Sequence, residues 1–306
     1  MRNDFVKQTL LEMERNKNII FLTGDLGYNA LEPIQKTFPE RFINVGIAEG
    51  NMLGLAAGLA LSGKKVIAYS IASFLTMRPY EQIRSDICYD NLDVKLFGPG
   101  GGFNYPTHGH THHTIEDVAI MNVLPNMKVV CPAYSWEARE ATRTLIRHSG
   151  PTYMRLSKSP GVNYEKAGWK FELGKSYHIR NGKDVVLIST GNILDVVMAT
   201  ANLIEKKSGK KVGVISMPSL KPIDDKLIKH LAKTCSLICT LEEHSIIGGL
   251  GSIVSNILSQ SQCASRLKVF GIPDRFIKDV GSRDYLLAKI GLEPKTLSAK
   301  IIRLLN

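Results

Sequence analysis

Short, nearly unbroken apolar runs alternate along the chain with segments whose apolar residues recur every three or four positions. In the first half NIIFLTG, FINVGIA, KKVIAYSIA, DVKLFG, MKVVCP and TYMRLS read as strands. Between them, AEGNMLGLAAGLALSG and SWEAREATRTLIRHSG carry a helical period. Ser135 is the expected N-cap of the second helix, and Gly150 follows its end. The opening MRNDFVKQTLLEMERNKN spreads charges through its apolar residues, which predicts an amphipathic helix and not a signal peptide. The pattern breaks at residues 157–175, SKSPGVNYEKAGWKFELGK. A second alternating unit follows: DVVLIST, a long helix ending at Gly209, KVGVISM, a helix from Asp224, SLICTLEE, a helix after Gly251, LKVFGIP and two terminal helices. Apolar strands separated by helices predict parallel sheets covered on both faces. The expected fold is α/β with two domains, each a mostly parallel sheet flanked by helices. Residues 1–160 and 183–306 are the expected domains, with 161–182 as linker.

Composition narrows the class without changing this picture. The chain has 306 residues, 44% hydrophobic and 22% charged, as in an ordinary globular protein with two sizeable cores. Its apolar run at residues 52–61 is too short to span a bilayer, so no membrane association is expected. The formal net charge is +11, but the cations are scattered and no nucleic-acid-binding motif is present. The charge fits a solvated surface, an anionic substrate or an acidic partner. Five cysteines, an odd number without a C-x-x-C pair, predict reduced thiols in a cytoplasmic protein.

In such folds ligands sit at the carboxyl ends of strands. Glu49 follows an apolar strand, stands at the head of a helix and has Val45, Ile47 and Ala48 as apolar neighbours. It either favours the helix dipole or exchanges protons in a nearly dry cleft. Gly50, Gly54 and Gly58 recur at four-residue spacing along that helix, which permits close packing. A second cluster, GPGGGFNYPTHGHTHHTIED, holds His108, His110, His112 and His113 behind a glycine-rich turn. On an extended backbone the alternating His108, His110 and His112 would face one way and could hold zinc. A phosphate loop is disfavoured, because GPGGG lacks the Lys-Ser/Thr signature. Thr114, with Asp117 three residues on, is the expected start of the next helix.

The ordered stretches TGDLG, ERFINVGIAEGNMLGLAAGLAL, SFLTMRPYEQIR, THHTIEDVAIMNVLPNMKVVCPA and GPTYMRLSK resemble the pyrimidine-binding domain of transketolases. They are also similar to the matching domain of 1-deoxyxylulose-5-phosphate synthases. LISTG, EEHSIIGGLGS and IGLEP resemble the transketolase C-terminal domain, so the resemblance covers nearly the whole chain. It implies thiamine diphosphate as cofactor, bound between two chains. It makes Glu49 the carboxyl that hydrogen-bonds the aminopyrimidine and helps its imine nitrogen take up a proton. It makes Phe74 the aromatic that stacks on that ring, with Tyr80 and Met77 at further positions of the pocket and Asp25 an acidic residue nearby. His112 matches a histidine that contacts substrate oxygens, and His113 follows it as in the deoxyxylulose synthases. His108 stands where transketolases carry an acidic residue that binds a sugar hydroxyl, and His110 replaces a small residue. Lys158 matches an arginine that holds the substrate phosphate, with Arg155 as a second candidate cation.

The family anchors the diphosphate and Mg²⁺ through a GDG motif, and TGDLG does not continue into its pattern. The expectation is the C-terminal half of a split transketolase. An N-terminal transketolase subunit would carry the diphosphate and most of the Mg²⁺ site, and the pair would self-associate into a dimer of heterodimers acting on a sugar or sugar phosphate. No metal ligands are expected in this chain. The alternatives are a 1-deoxyxylulose-5-phosphate synthase-like or acyloin-forming carboligase subunit, and a non-catalytic partner subunit.

Overall fold

The computed structural model describes residues 1–261 and 265–305; Cys263 lies outside the described residues. The first unit runs α1 (Arg2–Arg15), β1 (Ile19–Thr23), α2 (Glu32–Thr37), β2 (Phe42–Asn44), α3 (Glu49–Leu61), β3 (Lys65–Tyr69), α4 (Ala72–Met77), β4 (Val94–Pro99), α5 (Asp117–Asn122), β5 (Lys128–Val130), α6 (Ser135–Arg147) and β6 (Thr152–Leu156). The second runs β7 (Tyr177–Arg180), β8 (Val185–Thr190), α7 (Leu194–Ser208), β9 (Val212–Ser216), β10 (Ser219–Lys221), α8 (Asp225–Thr234), β11 (Leu237–Ser245), α9 (Leu250–Ser259), β12 (Arg266–Ile272), α10 (Arg283–Lys289) and α11 (Pro294–Leu305).

Two mostly parallel sheets result, one ordered β10-β5-β6-β4-β3-β1-β2 and one ordered β12-β11-β8-β9-β7. Central strands are covered on both faces, which is why they read as unbroken apolar runs. Every residue of β4, β6, β8 and β9 is buried, whereas the edge strand β2 is largely open. Two short strands escape the pattern. Antiparallel β7 closes the second sheet from within residues 161–182, and β10 leaves the second unit to pair antiparallel with β5 of the first. The units are therefore interlocked through β10.

Helix ends follow local chemistry. Gly209 closes α7 in the left-handed conformation, and the Asp224 carboxylate caps α8 by accepting from Leu227 N at 3.2 Å. Two expected caps differ. Tyr134, not Ser135, precedes α6, and Ser135 instead binds the Pro160 carbonyl. The helix after Thr114 begins only at Asp117, because Thr114 is held in a bridge to Gly102. Cys88, Cys131, Cys235 and Cys239 are buried free thiols. No described helix is long and apolar enough to cross a membrane.

Glu137 of α6 is fully buried at the junction of the two units. It accepts from Ala133 N at 2.7 Å and from the Ser216 hydroxyl of the second sheet at 2.6 Å. Burial pushes its carboxyl up to about 7, which outweighs the two hydrogen bonds. The folded chain thus keeps a proton that the unfolded chain releases near the ordinary value of 4.5. Stability contributed by this group is lost as pH rises from 4.5 towards 7. Glu137→Gln preserves the shape without the titration, so its melting temperature is expected to fall less than that of the parent between pH 5 and pH 8. Parallel pH profiles would contradict this role.

Candidate active site at the carboxyl ends of the first sheet

Asn44, Thr23, Tyr69, Phe97 and Met154 lie in register across β2, β1, β3, β4 and β6. The loops that follow are brought side by side at one edge of the sheet. Those after β1 and β2 are stitched together: Asp25 N donates to Asn44 Oδ1 and Asn44 Nδ2 to Asp25 Oδ1, both at 2.9 Å. Asn44 Oδ1 also accepts from Gly46 N at 3.0 Å, which shapes the turn that delivers Glu49 to the head of α3.

The Glu49 side chain is only 1% exposed. Its Oε1 accepts from the Ser70 hydroxyl at 2.9 Å, just past β3. Its Oε2 accepts from Arg78 Nη1 at 2.8 Å. The Arg78 guanidinium lies 3.9 Å from the centre of the Phe74 ring, one turn earlier. Beyond Phe74 comes His112, edge-on with ring centres 5.0 Å apart. His108 lies 4.8 Å from His112, and Tyr105 packs against both histidines at 5.6 and 5.7 Å. Lys158 Nζ stands 3.6 Å over the Tyr105 ring. A row of contacts thus runs from a buried carboxylate to an exposed ammonium.

Burial, reinforced by His108 and His113, lowers the affinity of His112 for a proton, so its imidazole is neutral near pH 7. Its Nδ1 shares a 3.0 Å hydrogen bond with Thr111 Oγ1. The Lys158 ammonium is also pushed down, by partial burial and then by Arg2.

Other expected residues lie off this row. His113 turns inward against Phe103 at 5.1 Å and is 5% exposed. His110 faces Phe276 at 6.4 Å. The histidine backbone is a turn and not the extended strand that a common face requires: His112 N and His113 N both donate to the Gly109 carbonyl. Among the described residues no three His, Cys, Asp or Glu side chains form a metal-binding group. The Tyr80 hydroxyl donates to the Ile120 carbonyl at 2.9 Å, and its ring packs on a core cluster. Met77 is 39% exposed, and Asp25 is exposed and bonded to Asn44 and Tyr28. Arg155 is buried in an ion pair with Asp117 at 3.2 Å and donates to the Thr114 carbonyl, so it is a support for the loop and is not presented to a ligand.

The histidine loop is clamped at its neck by the second unit. Gly102 and Thr114 pair across the neck, and Phe103 N donates to Glu243 Oε1 at 2.6 Å. Arg283 Nε holds the other Glu243 oxygen at 2.8 Å. The glycines of GPGGG serve this packing. A Cβ on Gly101 would fall 1.9 Å from Arg155 Nε, and one on Gly102 would meet Glu243 Oε1 at 2.6 Å. The same EEH stretch adds two more props. Glu242 accepts from Leu250 N and Gly251 N at the head of α9, and His244 accepts from Ala119 N at 3.4 Å. Sequence reasoning missed Ser70, Arg78, Tyr105 and Glu243. For Arg78 a signal existed, since it stands four residues after Phe74 within SFLTMRPYEQIR.

Residues 4–161 match the family described as Transketolase, pyrimidine binding domain, and residues 174–297 match Transketolase, C-terminal domain. The chain belongs to the transketolase family. It is 35% identical to a putative transketolase C-terminal section of Methanocaldococcus jannaschii, covering 96% of this chain and 93% of that protein. It is 35% identical to one subunit of an apulose-4-phosphate transketolase of Phocaeicola vulgatus, over 93% and 91% of the two chains. A 1-deoxy-D-xylulose-5-phosphate synthase of Chlorobium luteolum is 35% identical over 86% of this chain and 42% of its own length. A solved split gene transketolase, described as an inactive beta4 tetramer, superposes with a TM-score of 0.86 at 35% identity, covering 100% of this chain and 98% of that one.

Glu243→Ala strands the Arg283 charge and leaves the Phe103 amide without its acceptor. It is expected to lower stability by about 3–5 kcal/mol. In hydrogen exchange the Phe103 amide should open well before the amides of β4, with Glu243→Gln intermediate. Uniform acceleration across the sheet would show that Glu243 acts on global stability and not on the loop.

Proposed function

We propose that this chain is the C-terminal subunit of a thiamine diphosphate-dependent transketolase-like enzyme that moves a two-carbon ketol unit between sugars or sugar phosphates. It would work in the cytoplasm with an N-terminal subunit that holds the diphosphate and Mg²⁺, in a dimer of heterodimers. The observation that carries this reading is Glu49: a carboxylate 1% exposed at the head of α3, linked through Arg78 to the Phe74 ring, with the His112, His108 and Lys158 row leading away. The relatives whose names describe one subunit or a C-terminal section of a transketolase support the division of labour.

The residues fit the pyrimidine half of the cofactor. Its needs are a buried hydrogen-bonding carboxyl and a flat aromatic face, and Glu49 and Phe74 supply both. The planar Arg78 cation already sits against the two together, so the space suits a flat, hydrogen-donating ring. When bound, the cofactor supplies a carbon nucleophile and an electron sink for cleaving the bond next to a carbonyl. The chain's own residues hold and move protons around it. Glu49 binds the ring nitrogen in a site that excludes water. Neutral His112 takes the proton of a sugar hydroxyl. His108 contacts a neighbouring hydroxyl, and Lys158 at the open end meets a phosphate as a point charge. The likeness to a 1-deoxy-D-xylulose-5-phosphate synthase supports a second reading with a 2-oxo acid as donor.

Glu49→Gln in the assembled enzyme should reduce turnover by about 10²–10⁴-fold while leaving the melting temperature within a few degrees, since Gln still accepts a hydrogen bond but cannot take up or release a proton. Near-normal turnover would remove Glu49 from the chemistry.

His112→Ala should lower kcat while leaving cofactor affinity unchanged, and His108→Asp should alter the ranking of donor sugars that differ at one hydroxyl. One zinc ion per chain, lost together with activity in His110→Ala, would instead make the histidines ligands.

A further inference from the structure

We propose that Arg78 is a built-in occupant of the pyrimidine subsite, which it fills in the unassembled chain and must vacate when cofactor binds. The inference rests on the cofactor reading above and adds a competitor that the reading does not require. Arg78 makes both contacts that an aminopyrimidine would need. It donates to Glu49 Oε2 at 2.8 Å, and its guanidinium stands 3.9 Å from the Phe74 ring centre. A guanidinium is flat, cationic and rich in N–H donors, so it satisfies a carboxylate and an aromatic face at once. A ring placed between Glu49 and Phe74 would need the same oxygen and the same ring face.

The two ends of the pair differ. Glu49 is 1% exposed, but the Arg78 side chain is 47% exposed. Arg78 is therefore free to swing into water, whereas Glu49 has nowhere to go. Withdrawing Arg78 alone would leave a buried carboxylate with only Ser70 as donor, which is strongly unfavourable. Departure of Arg78 is thus coupled to arrival of another donor. The subsite exchanges one occupant for another and does not stand open. His112 packs T-shaped against Phe74 with ring centres 5.0 Å apart, a ring-to-ring contact of its own that does not run through the guanidinium.

This occupancy weakens binding of a lone pyrimidine. It can be overcome when other contacts, such as those to the diphosphate from a second chain, add their share. Arg78 would then make cofactor loading depend on assembly, and would keep the buried carboxylate satisfied until that moment.

The test uses thiamine itself as probe, because it carries the pyrimidine without the phosphates or any need for Mg²⁺. Calorimetry on the full, unassembled chain compares the parent with Arg78→Ala and Arg78→Lys. Arg78→Ala is expected to bind thiamine roughly tenfold more tightly than the parent, the scale of an ion pair plus a cation–π contact with one exposed partner. Arg78→Lys, which keeps the charge but loses the planar fork, should fall between them. Adding Phe74→Ala to Arg78→Ala should abolish the gain and so place it at this subsite. Equal or weaker binding by both Arg78→Ala and Arg78→Lys would overturn the proposal. If that happens while the parent complexed with its N-terminal subunit binds thiamine diphosphate, only the competitor role of Arg78 falls. If the complex takes up no cofactor either, the cofactor reading falls with it.

Discussion

Burying the Glu49 carboxylate to 1% exposure would be strongly destabilising unless donors met it, and the local structure is arranged to provide them. β3 ends so that the Ser70 hydroxyl reaches one oxygen, and α4 ends so that Arg78 reaches the other. The parallel register of β1, β2 and β3 sets these loops at one level, and the Asp25–Asn44 pair ties two of them together. Helix α3 then carries Glu49 at its first turn, where a carboxylate is favoured by the exposed N–H groups. The sheet, its loops and its helices therefore converge on one group, whose retention in a dry place is hard to explain by stability alone.

The second unit contributes no residue to the row of contacts, but it shapes the loop that completes it. Glu243 at the end of β11 grips the neck of the histidine loop through Phe103 N, and Arg283 of α10 holds Glu243 in turn. β10 crosses over to extend the first sheet, and Glu137 meets Ser216 at the junction. Two domains with separate sheets are thus made into a single support for loops from one of them. A rigid neck matters because His108 and His112 touch through ring faces and edges, where shifts of about 1 Å alter both contact and orientation.

The sequence conveyed the fold through its buried strands, because a strand covered on both faces must be apolar at every position. It conveyed β7 and β10 poorly, since each is a short antiparallel edge with few residues to carry a pattern. Glu49 stood out as an acid among apolar neighbours. Phe74, His108, His112 and Lys158 were legible as candidates from the family resemblance, but their contact with one another was not. The glycines of GPGGG read as a turn, whereas their necessity comes from Arg155 and Glu243, the latter some 140 residues away in the chain. The alternation of His108, His110 and His112 suggested one face, and the turn at Gly109 sends His110 away from that face, towards Phe276. Arg78 sat within a recognisable motif without a role, because its partnership with Glu49 depends on how α4 ends.

The most direct test of Glu49 as the centre of a shared cofactor site is to titrate the purified chain with thiamine diphosphate and Mg²⁺, first alone and then mixed with its N-terminal subunit. Saturable, stoichiometric binding that appears only in the mixture, and is lost when Glu49 is replaced by alanine, is the predicted result. Tight stoichiometric binding by the chain alone, or binding by the mixture that ignores Glu49, would contradict it.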